Sequence, residues 1–96
     1  MEVEVKVYGR LSEMLNIREF KINVETEITL RKLLENLNKL NEKFLETIAE
    51  KNGTLKQGYI LLVNGESVEN LNHKVKPGDR IDILPPAVGG STQLAK

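Results

Sequence analysis

The sequence predicts an α+β domain: a mixed sheet of four to five strands packed on a main helix, with a short second helix. Three observations predict it. Apolar and polar residues alternate with a period of two near both ends of the chain. Between them the spacing changes to three and four residues, the repeat of an amphipathic helix. Turn-forming pairs punctuate the strand-like runs. Pattern alone leaves the strand order open.

The first strand carries Val3, Val5 and Val7 on one face and Glu2, Glu4 and Lys6 on the other, as a half-buried strand does. Gly9 and Ser12 interrupt it, and the chain to Asn16 reads as a loop with one helical turn at most. A second alternation sets Phe20, Ile22 and Val24 against Lys21, Asn23 and Glu25. A connection of this length favours a hairpin between the two. Leu30, Leu33, Leu34, Leu37 and Leu40 then form a helical stripe. Thr29 suits its N-cap, and Ile28 with Leu33 suits a hydrophobic staple. Asn36, Asn38 and Asn41 are mediocre helix formers and should weaken or end the helix. Phe44, Leu45 and Ile48 mark the second, shorter helix, stopped by Asn52 and Gly53. The run Tyr59–Val63 is apolar on both faces and belongs inside the sheet or beneath a partner. Asn64-Gly65 favours a tight hairpin turn into a short return strand over residues 66–69. Pro77-Gly78-Asp79 fits another turn. Arg80–Leu84 alternates again, and Pro85-Pro86, with no N–H to donate, ends the strand.

Composition bounds the function. Ninety-six residues make one domain, here 1–84, followed by a tail over 85–96. Hydrophobic residues at 40% and charged residues at 29% are ordinary for a globular chain. Fourteen basic residues balance fourteen acidic ones, so phosphate neutralisation has no electrostatic basis and no nucleic-acid partner is expected. The absence of cysteine excludes a disulfide scaffold, a thiolate nucleophile and a cysteine zinc site. No apolar run approaches the ~20 residues of a membrane span, and no signal-like segment opens the chain. No membrane partner and a cytoplasmic location are therefore expected. One histidine and no tryptophan leave little material for an internal active site. These facts favour a carrier or binding module over a self-contained enzyme, with no bound cofactor or metal.

The internal candidates for chemistry are sparse. His73 lies in a polar Asn-His-Lys context and reads as a solvated loop residue. Asp79 and Asp82 are three apart across a turn, and nothing suggests the shared cleft of an acid/base pair. They read as a turn residue and a solvated strand residue. Gly58, Gly65 and Gly78 are isolated and make no phosphate cradle. Arg31, Lys32, Glu35 and Lys39 read as a solvated helix face. The tail is different: Pro85-Pro86-Ala87-Val88-Gly89-Gly90 precedes Ser91–Lys96. One reading is a frayed end. The other is a substrate tail, whose paired glycines thread a narrow channel because no Cβ blocks the backbone.

Four pieces bring the chain close to a known family: residues 3–8 with 11–15; Ile28-Thr29-Leu30-Arg31-Lys32-Leu33-Leu34; Val63-Asn64-Gly65-Glu66; and Lys76 to Gly90. Together they resemble the MoaD family, the small, sulfur-carrier subunits of molybdopterin synthase in the ubiquitin-like MoaD/ThiS superfamily. The resemblance covers residues 1–90. It implies a β-grasp fold with the first and last strands adjacent and parallel at the centre. It also implies a mechanism. An adenylating, MoeB-like enzyme uses ATP to activate the Gly90 carboxylate. Sulfur then replaces the adenylate, giving a thiocarboxylate. The tail enters a large, MoaE-like catalytic subunit and delivers sulfur for molybdenum cofactor biosynthesis. On this reading Gly90 carries the sulfur, Ala87, Val88 and Gly89 thread the partner, and Pro85 and Pro86 hold the tail off the sheet. The apolar face around Tyr59, Leu61 and Val63 is the candidate docking surface, core contact being the alternative for each.

One departure stands out. The family pattern ends at the second glycine, whereas six residues follow Gly90 here, so a peptide bond occupies the carboxylate to be activated. Three accounts compete: trimming by a processing protease, an artificial extension, or loss of the carrier chemistry. Other functional classes remain beside the pterin carrier: a thiamine or tRNA sulfur carrier, a ubiquitin-like protein modifier, and a non-covalent interaction module.

Overall fold

A computed structural model describes residues 1–39 and 41–86. The expectations for Leu40 and for the tail residues Ala87, Val88, Gly89, Gly90 and 91–96 lie outside the described residues. Strand β1 (Glu2–Val7) runs into helix α1 (Gly9–Leu15), then β2 (Glu19–Asn23) and a short β3 (Ile28–Thr29). Helix α2 (Leu30–Glu35) continues as a 3-10 turn over Asn36–Lys39, followed by α3 (Phe44–Ile48). Strands β4 (Ile60–Val63), β5 (Glu66–Ser67), β6 (Lys74–Val75) and β7 (Arg80–Leu84) complete the order.

Five strands form one sheet in the order β2-β1-β7-β4-β5, and β3 pairs with β6 in a second, two-stranded sheet. β1 and β7 are parallel neighbours, with Val5 opposite Ile81 and Val7 opposite Ile83. β1 pairs antiparallel with β2, and β4 antiparallel with both β7 and β5. The last strand therefore occupies the middle of the sheet. This is the ubiquitin-like β-grasp arrangement, with the helices on one face.

The alternation of the sequence explains which side is buried. Val3 and Val5 of β1, Ile81 and Ile83 of β7, and Leu61 of β4 are fully buried on the helix side. They meet Leu30, Leu33, Leu34 and Leu37 of the helical stripe, with Phe44 and Ile48 of α3 completing the core. Thr29 caps α2, its Oγ1 accepting the Lys32 N–H at 3.1 Å. The asparagines that interrupt the helix have work elsewhere. Asn38 Oδ1 accepts the Leu45 N–H at 3.0 Å, and Asn41 donates to the Leu15 carbonyl at 3.2 Å. Their side chains compete with the helical backbone and bind the next element instead.

Three expectations need correction. The segment after β1 is a helix rather than a loop, burying Leu11 and Leu15; two apolar positions four apart give little periodicity to detect. β3 and β6 were not expected, because two residues cannot display an alternation. Asp82 is 4% exposed rather than solvated.

Candidate functional site

Two features of the sheet can serve a partner: the outer face of β7 and β4, and the point where the chain leaves β7. Each follows from residue parity. Ile81 and Ile83 point to the helices, so Arg80, Asp82 and Leu84 lie on the opposite face. The ladder places Leu62 opposite Asp82 and Ile60 opposite Leu84. Ile60 is 45% exposed, and Leu62 and Leu84 are half-buried. These three form an apolar strip on the outer face.

Of the expected docking residues Tyr59, Leu61 and Val63, none belongs to that outer strip, which their neighbours Ile60 and Leu62 form instead. Leu61 and Val63 are buried against the helices, and Tyr59 is half-buried against the core. In a run apolar on both faces, the sequence carries no parity mark of its own. The register with Arg80 and Asp82, polar at alternate positions across the ladder, is the signal that would have assigned it.

Beside the strip lies a polar cluster. Tyr8 Oη donates to Asp82 Oδ1 at 2.9 Å, and Arg80 Nη2 stands 3.3 Å from Asp82 Oδ2. The bond to Asp82 is the main cause that raises the Tyr8 pKa above its ordinary value, since losing the phenolic proton would set a second negative charge against the carboxylate. Asp82, covered by Tyr8 and Arg80, is the polar centre of this face. Asp79 is also buried but belongs to a different network, with Asn64 and Lys76. The two aspartates thus share no cleft. His73 is exposed in its loop.

Pro85 and Pro86, both half-buried, follow β7 directly. Tyr8 N–H donates to the Ile83 carbonyl at 3.0 Å, which carries the β1 contact to the last turn of the ladder. Pro85 then passes beside Gly9 and Pro86 beside Gly58. The tail therefore begins at the centre of the sheet, flanked by the start of α1 and by the turn before β4. Among the described residues no group of three or more His, Asp or Glu side chains could hold a metal ion. No described helix is long and apolar enough to cross a membrane.

The model of the ThiS family matches residues 5–90. The chain belongs to the ThiS family. It thus falls within the MoaD/ThiS ubiquitin-like superfamily, as its motifs indicated. A putative sulfur carrier protein of Archaeoglobus fulgidus is 32% identical over 84 residues, covering 84% of this chain and 94% of that one. The molybdopterin synthase sulfur carrier subunit of Drosophila yakuba is 32% identical over 92 residues, covering 94% of this chain and 92% of its own. Among solved structures, SAMP1 of Haloferax volcanii superposes with a TM-score of 0.77 at 24% identity, covering 94% of this chain and 100% of that one. It shares the fold of this ThiS family member. The complex of subunits 1 and 2 of the molybdopterin-converting factor of Helicobacter pylori contains a chain matched at a TM-score of 0.58 and 29% identity, covering 94% of this chain and 100% of that one.

Proposed function

We propose that the chain is the sulfur-carrier subunit of a molybdopterin synthase, acting through the carboxylate of Gly90. The observation that carries the reading is the family match, which runs to residue 90 and takes in Pro85-Pro86-Ala87-Val88-Gly89-Gly90 but not Ser91–Lys96. The two sulfur-carrier relatives support the carrier class. The Drosophila name supports the pterin pathway.

The chemistry is supplied by partners. A protease hydrolyses the Gly90–Ser91 peptide bond and frees the carboxylate. An adenylating enzyme lets that carboxylate attack the α-phosphorus of ATP; pyrophosphate leaves and an acyl adenylate remains. A sulfur nucleophile displaces AMP, and the C-terminus becomes a thiocarboxylate. Activation is needed because a carboxylate resists nucleophiles, whereas AMP is a good leaving group. Sulfur then passes to a pterin precursor held by the large subunit, and water restores the carboxylate. This chain contributes recognition and delivery: the Ile60–Leu62–Leu84 strip docks the partner, and Ala87, Val88 and Gly89 lead Gly90 to the reacting centre.

The intact mass of untagged protein from its own host tests the reading. A chain ending at Gly90, with a fraction heavier by the exchange of oxygen for sulfur, is the expected result. A population ending only at Lys96 overturns it. Higher-mass conjugates without thiocarboxylate would assign the chain to protein modification instead. Deleting Gly90 from the trimmed chain should abolish sulfur transfer and leave the thermal midpoint unchanged.

A further inference from the structure

Gly58 closes a turn that the fold requires, but its environment exceeds what the turn requires. Tyr59 N–H donates to the Lys56 carbonyl at 3.2 Å, and Gly58 has a φ of 92°. A left-handed third position is the mark of a type II turn. Gly65 meets the same backbone condition, with a φ of 87°, and a Cβ built there would touch nothing within 4 Å. At Gly58 the Cβ would stand 2.8 Å from Pro86 Cβ, 3.0 Å from Cγ and 3.5 Å from Cα. The first two distances are shorter than van der Waals contact allows, and the third is ordinary contact. The clash is with the proline ring, and the fixed φ of proline gives the ring no rotation by which to escape. On the other flank, a Cβ on Gly9 would lie 3.4 Å from Pro85 Cγ. The start of α1 and the turn before β4, which border the end of β7, thus each present a glycine to one of the two prolines.

We propose that Gly58 is a positioning residue for the carrier tail: its missing Cβ is the seat of Pro86, and this seat, with Gly9 against Pro85, sets the heading at which the chain departs towards a partner's active site. The proposal rests on the carrier reading above. A tail that must bring its terminal carboxylate to a reacting phosphorus gains from a fixed base, because less freedom is lost on insertion. Pro86 precedes Gly90 by only four residues in sequence, so the direction set at Pro86 bears on where Gly90 can reach.

The test compares Gly58→Ala with Gly65→Ala. Both place alanine at a left-handed position, and only the first meets Pro86. In the full chain, the 13C resonances of Pro86 and the amide of Ala87 should shift in Gly58→Ala and stay in place in Gly65→Ala. For the kinetic arm the chain ends at Gly90, since every described strand and helix lies within residues 2–84. Adenylation by the host's activating enzyme is followed with this chain as the varied substrate. Gly58→Ala should lower kcat roughly ten- to a hundredfold with little change in KM, because docking uses the outer face and delivery uses the tail. Gly65→Ala should change neither. Pro86→Gly, which strains no turn, should lower kcat similarly, and the Gly58→Ala/Pro86→Gly double variant should be no slower than Pro86→Gly alone. Equal kcat for the two alanine variants overturns the proposal, as does additivity in the double variant. If the parent chain is not adenylated at all, the carrier reading fails, and the resonance comparison alone decides whether the seat exists.

Discussion

At the scale of single residues, Asp79 holds two turns together. Its Oδ2 accepts the Lys76 N–H at 2.9 Å, and its Oδ1 accepts the Asn64 side-chain amide at 3.0 Å. Asn64 Oδ1 in turn accepts the Arg80 N–H at 2.9 Å. The Asn64-Gly65 hairpin and the Pro77-Gly78 turn are joined through one carboxylate. Burial pushes the Asp79 pKa up, but the Lys76 N–H and the Asn64 amide, with the charges of Lys76 and His73, outweigh it and leave the group below its ordinary value of 3.8. A carboxylate depressed in the folded state stabilises the fold above its unfolded pKa and loses that contribution as pH falls through the folded pKa. We therefore predict a thermal midpoint that declines from about pH 5 downwards. Asp79→Asn should remove this part of the decline and cost about 1–3 kcal/mol at neutral pH, since its NH₂ would face a donor. A decline as steep in the variant as in the parent would exclude the assignment. The two turns were legible in the sequence because Asn-Gly and Pro-Gly-Asp have local meaning. Their junction was not, because it links side chains fifteen residues apart.

At the scale of elements, legibility followed length and periodicity. Strand β7 has the bounds that its apolar residues predict, and β1, β2, α2 and β4 differ only at their ends. Helix α3 spans its apolar residues Phe44–Ile48 but stops at Ala49, which is already extended and bridges Leu55, and not at Asn52-Gly53. The stripe from Leu30 to Leu37 repeats often enough to be unmistakable, whereas α1 offers only Leu11 and Leu15 to the core. β4 shows where pattern fails: its existence was clear and its facing was not. The two faces of β4 consequently make opposite predictions. Leu61→Ala opens a cavity at a fully buried site and should cost about 2–5 kcal/mol by denaturant unfolding. Ile60→Asp, at a 45% exposed position, should change stability by less than ~1 kcal/mol. On the proposed carrier reading, titration against the large subunit of a molybdopterin synthase should nevertheless show at least roughly tenfold weaker binding. Unaltered binding by Ile60→Asp would remove the outer face of β4 from the docking surface.

At the scale of the whole molecule, the order of strands decides which end of the chain the fold can lose. β7 is the last strand in sequence and the middle strand in space, bordered by β1 on one side and β4 on the other. That placement was available from the family resemblance and not from periodicity, which sees each strand singly and carries no information about neighbours. Cutting the chain before Arg80 removes Ile81 and Ile83, both fully buried, at ~1.5–3 kcal/mol each. It also strips the ladders from two strands at once and leaves β1 and β4 with open edges facing a gap. Against a typical domain stability of about 5–15 kcal/mol, that loss is decisive, and we predict a chain of residues 1–79 without cooperative unfolding. A chain of residues 1–86 keeps every described strand and leaves Pro85 beside Gly9 and Pro86 beside Gly58. It should melt within a few degrees of the full chain and, on the proposed carrier reading, give no acyl adenylate. Circular dichroism melts and the adenylation assay separate the two roles. A cooperative melt in the shorter chain would mean that β7 is dispensable to the core. A folded chain of residues 1–86 that lacks only the chemistry would show delivery and stability to be divided at Pro86. The central strand would then anchor the tail from within the sheet, while everything that reacts lies beyond it.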